Sequence, residues 1–226
     1  MANAMNDLNP KEYIITRKRK RYKFALFHNN PLCFELEQWQ PEFIPAILEI
    51  GAGTGTFSEA LAENSPDTLH LAVDVKADRL QTGARKAMEK ALTNVRFLRA
   101  RVEQLAEIIP PHSISTIWIT FPDPFPKDRS SKHRLTHPTY LNLYRTLLRP
   151  NGRVCFKTDA VVLFDWSLEQ FADAGWNIKE ISFNLGASTL EGDMRIPTTY
   201  ELRYLKEGKK INYVEVEPPE DSRDIV

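Results

Sequence analysis

Three glycines spaced two residues apart, Gly51, Gly53 and Gly55, stand where a short apolar run, Ala46–Ile50, gives way to an amphipathic stretch, Thr56–Asn64. A brief apolar run closed by glycine reads as a buried strand. Glycine at that point lets the backbone turn tightly and come close to a ligand. A strand that enters such a turn and leaves as a helix is the opening unit of an α/β fold. The chain keeps that alternation. Further strands are predicted at Leu69–Val73, Val95–Leu98, Ile114–Phe121, Arg153–Lys157, Trp176–Phe183 and, last, Tyr200–Leu205. Helices are predicted at Asp78–Leu92, Val102–Ile109, Pro138–Leu148 and Val162–Asp173. A short helix is expected within 31–40, and 1–12 read as a loosely attached end. Strands alternating with helices imply a mostly parallel, seven-stranded sheet flanked by helices, a Rossmann-like α/β architecture.

With 226 residues and 42% hydrophobic content, the chain suits one globular domain. The formal net charge is zero, but the charges are unevenly placed. Arg17, Lys18, Arg19, Lys20, Arg21 and Lys23 form a basic run, and Glu215, Glu217, Glu220, Asp221 and Asp224 make the C-terminal end acidic. The basic run reads either as solvated surface or as a contact for nucleic acid. The division expected is a basic, partly flexible segment over 1–30, a catalytic domain over 31–213 and an acidic tail over 214–226. Cys33 and Cys155 lie far apart without metal-ligand spacing, so no metal is expected and a reducing compartment fits. With no apolar run near 18 residues and no signal peptide, a cytoplasmic protein without membrane contact is expected.

The glycine loop reads Glu49-Ile-Gly51-Ala-Gly53-Thr-Gly55. Its third glycine comes one residue too early for the dinucleotide fingerprint. It resembles instead the E-x-G-x-G-x-G signature of S-adenosylmethionine methyltransferases, although a plain strand-to-helix turn would use the same residues. Asp74 ends the second strand about 20 residues on, where a carboxylate can accept from both hydroxyls of a ribose. Glu49 ends the first strand and either reaches the amino-acid part of such a cofactor or braces the loop.

Four later stretches carry a more specific signal. They are Phe121-Pro-Asp123-Pro-Phe125-Pro-Lys127, Lys132-His133-Arg134-Leu-Thr136-His-Pro138, Phe156-Lys157-Thr158-Asp159 and Thr198-Thr199-Tyr200-Glu201. The prolines stiffen the loop that carries Asp123, and the loop follows a strand's carboxyl end, where open α/β sheets bind ligands. A carboxylate there can accept from guanine N1–H and the exocyclic amine. Lys127, Arg129, Lys132 and Arg134 surround it with positive charge suited to phosphates. His133 and His137, in the same polar region, read as phosphate-contacting or solvated rather than proton-transferring.

Together these stretches closely resemble the bacterial tRNA (guanine-N7)-methyltransferase family, from Arg17 to Tyr213. The resemblance implies transfer of a methyl group from S-adenosylmethionine, leaving S-adenosylhomocysteine, to N7 of guanine 46 in the variable loop of tRNA. It implies an enzyme acting as a monomer or homodimer with no obligatory protein partner. Asp123 matches the family's proposed catalytic acid, and Glu49, Asp74 and Asp123 match cofactor-lining positions beside Gly51, Gly53 and Gly55. Lys127, Asp159, Thr198, Thr199, Tyr200 and Glu201 match substrate-contacting positions, and Arg134 a basic residue near the tRNA.

The sequence departs from the family at Phe125, where Trp is common, and at Thr54, where Lys is frequent. At the cofactor position Arg101, an acid beside the adenine is usual. Arginine has no acceptor for the adenine amino group, so either the backbone takes that role or the cofactor is held less tightly. Two other readings share parts of the pattern. A methyltransferase of another RNA or of a small molecule would keep the loop and Asp74 without needing the cationic stretches. An inactive tRNA-binding homologue would explain the changes at Arg101 and Thr54.

Overall fold

The computed structural model describes residues 18–219, with side chains from Tyr22 onward. One sheet of eight strands organises them: β1 Cys33–Glu35, β2 Ile47–Ile50, β3 His70–Asp74, β4 Val95–Arg99, β5 Ile114–Thr120, β6 Leu148–Thr158, β7 Asn177–Ser182 and β8 Asn212–Glu217. Their spatial order is β1-β4-β3-β2-β5-β6-β8-β7. All neighbours pair in parallel except β8, which runs antiparallel to both β6 and β7. The central strands are apolar on both faces: Leu48, Ile50, Leu71, Ile117, Ile119 and Phe156 are fully buried. That is the pattern a sheet covered by helices on both sides requires.

The helices are α1 Lys18–His28, α2 Thr56–Asn64, α3 Ala77–Glu89, α4 Pro138–Leu147, α5 Val161–Asp173 and α6 Thr199–Lys206. On α3 the buried stripe is Leu80, Ala84 and Ala87, which packs with Phe24 and Phe27 of α1. Gly83 lies on the same face. A Cβ there would stand 2.5 Å from the carbonyl oxygen of Gly55, and the Gly83 N–H donates to Thr54 O at 2.7 Å. The third helix therefore docks directly on the glycine loop.

Three expectations are corrected. Tyr200–Leu205 is not a strand but most of α6, because Thr198 and Glu201 close a capping box: Thr198 Oγ1 accepts from the Glu201 N–H at 3.0 Å, and the Glu201 carboxylate accepts from the Thr198 N–H. The strand that completes the sheet is Asn212–Glu217, so Glu215 and Glu217 are sheet residues. Glu215 accepts from Tyr213 Oη at 3.1 Å. Residues 31–40 form the edge strand β1, parallel to β4, and a single 3₁₀ turn rather than a helix, which raises the strand count to eight. Arg17, 1–12, Glu220, Asp221 and Asp224 lie outside the described residues. No helix among the described residues is long and apolar enough to cross a membrane.

Candidate active site

Strand order reverses between β2 and β5, and a cleft of about 500 Å³ opens at the carboxyl ends of the strands there. This is the crevice where open α/β sheets bind ligands. Glu49, Asp74, Glu103, Asp123 and Asp159 bring carboxyl groups to its wall, against the cations Lys76, Arg79 and Arg101. An acid-rich cleft of this size suits a cationic ligand.

The glycine loop forms one wall. Gly51, Gly53 and Gly55 all have positive φ, near 55–69°, the left-handed region that costs a side-chain-bearing residue energy. Gly51 and Gly53 face the cleft, whereas Gly55 is turned to the core, where a Cβ would come within 2.7 Å of the Phe97 ring. The expected trio therefore divides into two that border the cleft and one that permits packing.

Asp74 ends β3 and is anchored by backbone. Its Oδ2 accepts from the Gly53 N–H and its Oδ1 from the Lys76 N–H, both at 2.8 Å. Burial pushes its carboxyl above the usual range, and those two donors oppose the rise. Anchored this way the carboxylate still has lone pairs for a diol. Glu49 is buried, with Oε2 accepting from Ser58 N–H at 3.2 Å and Ser58 Oγ at 2.6 Å, and Oε1 accepting from Thr120 Oγ1 at 2.8 Å. It ties β2, α2 and β5 together beneath the cleft floor. Desolvation raises its pKa to about 7, opposed by those donors and reinforced by the Asp74 charge.

Opposite the glycines runs the proline-rich loop after β5. Asp123 is exposed at the cleft and makes no hydrogen bond or ion pair among the described residues. Phe121 and Phe125, two residues either side of it, sit at φ 48° and 43°. A positive φ in a bulky residue persists only where the surroundings over-determine it. Here the Phe121 N–H donates to Lys157 O at 2.8 Å, while the Phe125 carbonyl accepts from Arg134 Nε and Nη2 at 3.3 and 3.0 Å. Arg134 is buried with its guanidinium 4.5 Å from the Trp166 ring centre. The sequence places Arg134 near the tRNA; in the fold its donors are turned to this loop and it does not border the cleft. Lys127 is exposed at the start of the 3₁₀ turn Asp128–His133, outside the cleft. His133 packs against Phe125, ring centres 5.6 Å apart, and His137 caps α4 by accepting from the Thr139 N–H.

The fourth stretch closes the cleft from above. Thr198, Thr199 and Tyr200 line it; Tyr200 Oη accepts from Arg79 Nη1 at 3.1 Å and Thr199 Oγ1 lies 3.2 Å from Thr56 Oγ1. Asp159 also lines it and pairs with Lys209 at 2.7 Å. Glu201 points away from the cleft to Lys157, at 2.5 Å. Lys157 is wholly buried, and its ammonium also donates to Met194 O and Ile196 O at 2.8 and 3.2 Å, so all three N–H groups are used. Burial lowers its pKa and the charge of Glu201 opposes that. Lys157 thus bolts α6 and the 194–196 segment onto β6.

Sequence reasoning passed over Arg79, Lys157, Tyr204, Glu103 and Tyr140. Arg79 could have been found from its place in the first turn of the helix that follows Asp74. Lys157 stood within a recognised motif, but a lysine predicted inside a strand gives no sign of its partner.

A family profile described as "Putative methyltransferase" matches residues 44–214. A tRNA (guanine-N(7)-)-methyltransferase of Cytophaga hutchinsonii is 40% identical over 176 residues, 76% of this chain and 80% of that protein. The enzyme of the same name from Brevibacillus brevis is 37% identical over 196 residues, covering 85% and 91%. Among solved structures, the 16S rRNA methyltransferase KamB superposes with a TM-score of 0.58 at 18% identity, covering 81% of this chain and 92% of that one, a likeness of fold. An acid-rich cleft at the sheet's switch point, and identity of this level across most of both relatives, lead to one conclusion: the chain belongs to the tRNA (guanine-N7)-methyltransferase family.

Proposed function

We propose that this enzyme methylates N7 of guanine 46 in the variable loop of tRNA, with Asp123 as the group that orients the base. The observation that carries the reading is the convergence on one cleft of the glycine loop, Asp74 and Asp123, beside the exposed cations of the 127–132 loop. The residues fit the cofactor. Gly51 and Gly53 leave room that a Cβ would fill, with Leu135 and Tyr200 3.1 and 3.8 Å from where it would stand, and Asp74 offers a fixed acceptor to a ribose. The methyl donor, S-adenosylmethionine, supplies a methyl group already activated on a sulfonium, so the protein has mainly to align donor and acceptor.

Guanine N7 carries a lone pair in the ring plane and no proton, so attack needs no general base. As N7 attacks, positive charge develops on the base. Asp123, accepting from N1–H and the exocyclic amine, strengthens those bonds at that moment and so stabilises the transition state more than the ground state. Phe125, His133, Tyr200 and Tyr204 present ring faces at the cleft on which a base can stack. Asp159, Thr198 and Thr199 supply polar groups to the nucleotide. Lys127, Arg129 and Lys132 are exposed and unpaired among the described residues, and they take tRNA phosphates. Arg134 and Glu201 act at one remove: one fixes the Asp123 loop, the other fixes α6.

The test is nucleoside mass spectrometry of unmodified tRNA after incubation with the enzyme and S-adenosylmethionine. The expected product is 7-methylguanosine, mapped to the variable loop. Its absence, or its appearance elsewhere in the tRNA, refutes the proposal.

A further inference from the structure

We propose that Glu103, steered by Tyr140, and its neighbour Arg101 together read the Watson–Crick edge of the cofactor's adenine and reject other purines. The inference rests on the cofactor reading above. A ribose held at Asp74 carries its base and its 5′ arm on opposite sides. The 5′ arm must bring the methyl group toward Glu49 and Asp123, which stand at the ends of β2 and β5. β2 flanks β3 on one side only; β4 flanks it on the other. The base is therefore directed over the end of β4, where the cleft wall continues as Ala100, Arg101, Val102 and Glu103.

That wall is built for a flat heterocycle with a polar edge. Val75, Val102 and Leu135 give it apolar contact surface. Glu103 is the carboxylate of this stretch, and it is exposed. One of its oxygens, Oε1, accepts from Tyr140 Oη at 3.0 Å, which sets the side chain's direction. Its Oε2 has no partner among the described residues. Tyr140 is buried and borders the cleft, and burial together with Glu103 raises its pKa to about 12, so its hydroxyl stays a donor. Arg101 is exposed beside it and its guanidinium carries donors only. Adenine offers an amine donor at C6 and an acceptor at N1; hypoxanthine offers the reverse. A carboxylate acceptor next to a guanidinium donor matches the first and repels the second. Polar groups that a bound base covers discriminate strongly, because the wrong edge leaves them unpaired.

The test is calorimetric binding of S-adenosylhomocysteine and S-inosylhomocysteine to the full chain, which needs no turnover. The wild type is expected to favour the adenosyl compound by about tenfold or more. In Glu103→Gln the amide can present either a donor or an acceptor, so the preference should shrink to about twofold. Tyr140→Phe frees the carboxylate and should give an intermediate preference. Glu103 is exposed, so the substitution leaves the core intact. A Glu103→Gln protein that binds S-adenosylhomocysteine with the wild-type preference overturns the assignment while leaving the cofactor reading standing. A wild type that binds neither compound refutes the cofactor reading itself.

Discussion

Glu49 predicts that cofactor binding expels a proton. Its carboxyl is 1% exposed, and desolvation raises its pKa to about 7 from the ordinary 4.5, against the pull of the Ser58 and Thr120 donors. The unliganded enzyme therefore keeps a proton there that the unfolded chain has released. The contribution is destabilising: as pH rises from about 4.5 to 7, folding loses about 3 kcal/mol at this group, and the loss is complete above 7. A cofactor ammonium placed beside the carboxyl reverses the balance by favouring the charged form. At about pH 6.5 a group of pKa 7 is about three-quarters protonated, so about 0.7 proton should leave with each cofactor bound. Affinity should then rise about eightfold between about pH 6 and 7.5, before the ligand's own amine titrates. The assay is calorimetry with S-adenosylhomocysteine in two buffers of different ionisation enthalpy, with Glu49→Gln as control. The variant keeps the shape, should release no proton and should show a flat pH dependence. Equal heats in both buffers for the wild type, with flat affinity, would refute the argument.

Four further outcomes are expected. Asp74→Ala removes an anchored acceptor and should weaken S-adenosylhomocysteine binding by about ten- to a hundredfold, measured by calorimetry. Asp123→Asn should slow single-turnover methylation about a hundredfold while tRNA affinity, set by phosphates, is retained; a rate that instead shows a neutral-pH ionisation absent from the variant would make Asp123 a base. Lys157→Met strands Glu201 in a buried site and should cost about 3–5 kcal/mol in denaturant unfolding, with Lys157→Met/Glu201→Leu recovering part of it. Replacing Lys127, Arg129 and Lys132 by alanine should lower the slope of log affinity for tRNA against log salt by about one for each phosphate deprived of its cation, leaving cofactor binding unchanged.

Most of the sheet was legible because its central strands are apolar runs cut by glycine, proline or charge, and α2 was read to the residue. The two failures near the C-terminus have one cause each. Tyr200–Leu205 alternates enough to pass for a strand, yet Thr198-x-x-Glu201 is the signature of a helix start and outweighs it once both bonds form. Asn212–Glu217 alternates valine with glutamate, a strand's period, but its acids made it look like a tail. In the fold Glu215 faces Tyr213, Cys155 and Arg153, a pairing that no local pattern announces. Site residues at strand ends, Glu49, Asp74 and Asp123, were readable because topology alone brings strand ends together. What Arg134 and Glu201 do was not. Their partners, the Phe125 carbonyl and Lys157, come from nine and 44 residues away, and only packing shows that these charges are already used.

The position of β8 has a consequence for how the enzyme is made. β7 touches the sheet only through β8, which lies between it and β6 although it is translated after both. A nascent chain that has emerged through β7 has nowhere to put that strand. Both must enter together, β8 sliding in beside β6 and carrying β7 on its outer edge. The connection between them contains α6, so the same event swings Glu201 onto Lys157 and sets Thr198, Thr199 and Tyr200 against the glycine loop. The half of the cleft built on Gly51, Asp74 and Asp123 belongs to strands that can pair earlier. The ribosome thus delivers a donor-side pocket first, and the wall facing the nucleotide snaps shut only after the last strand is out.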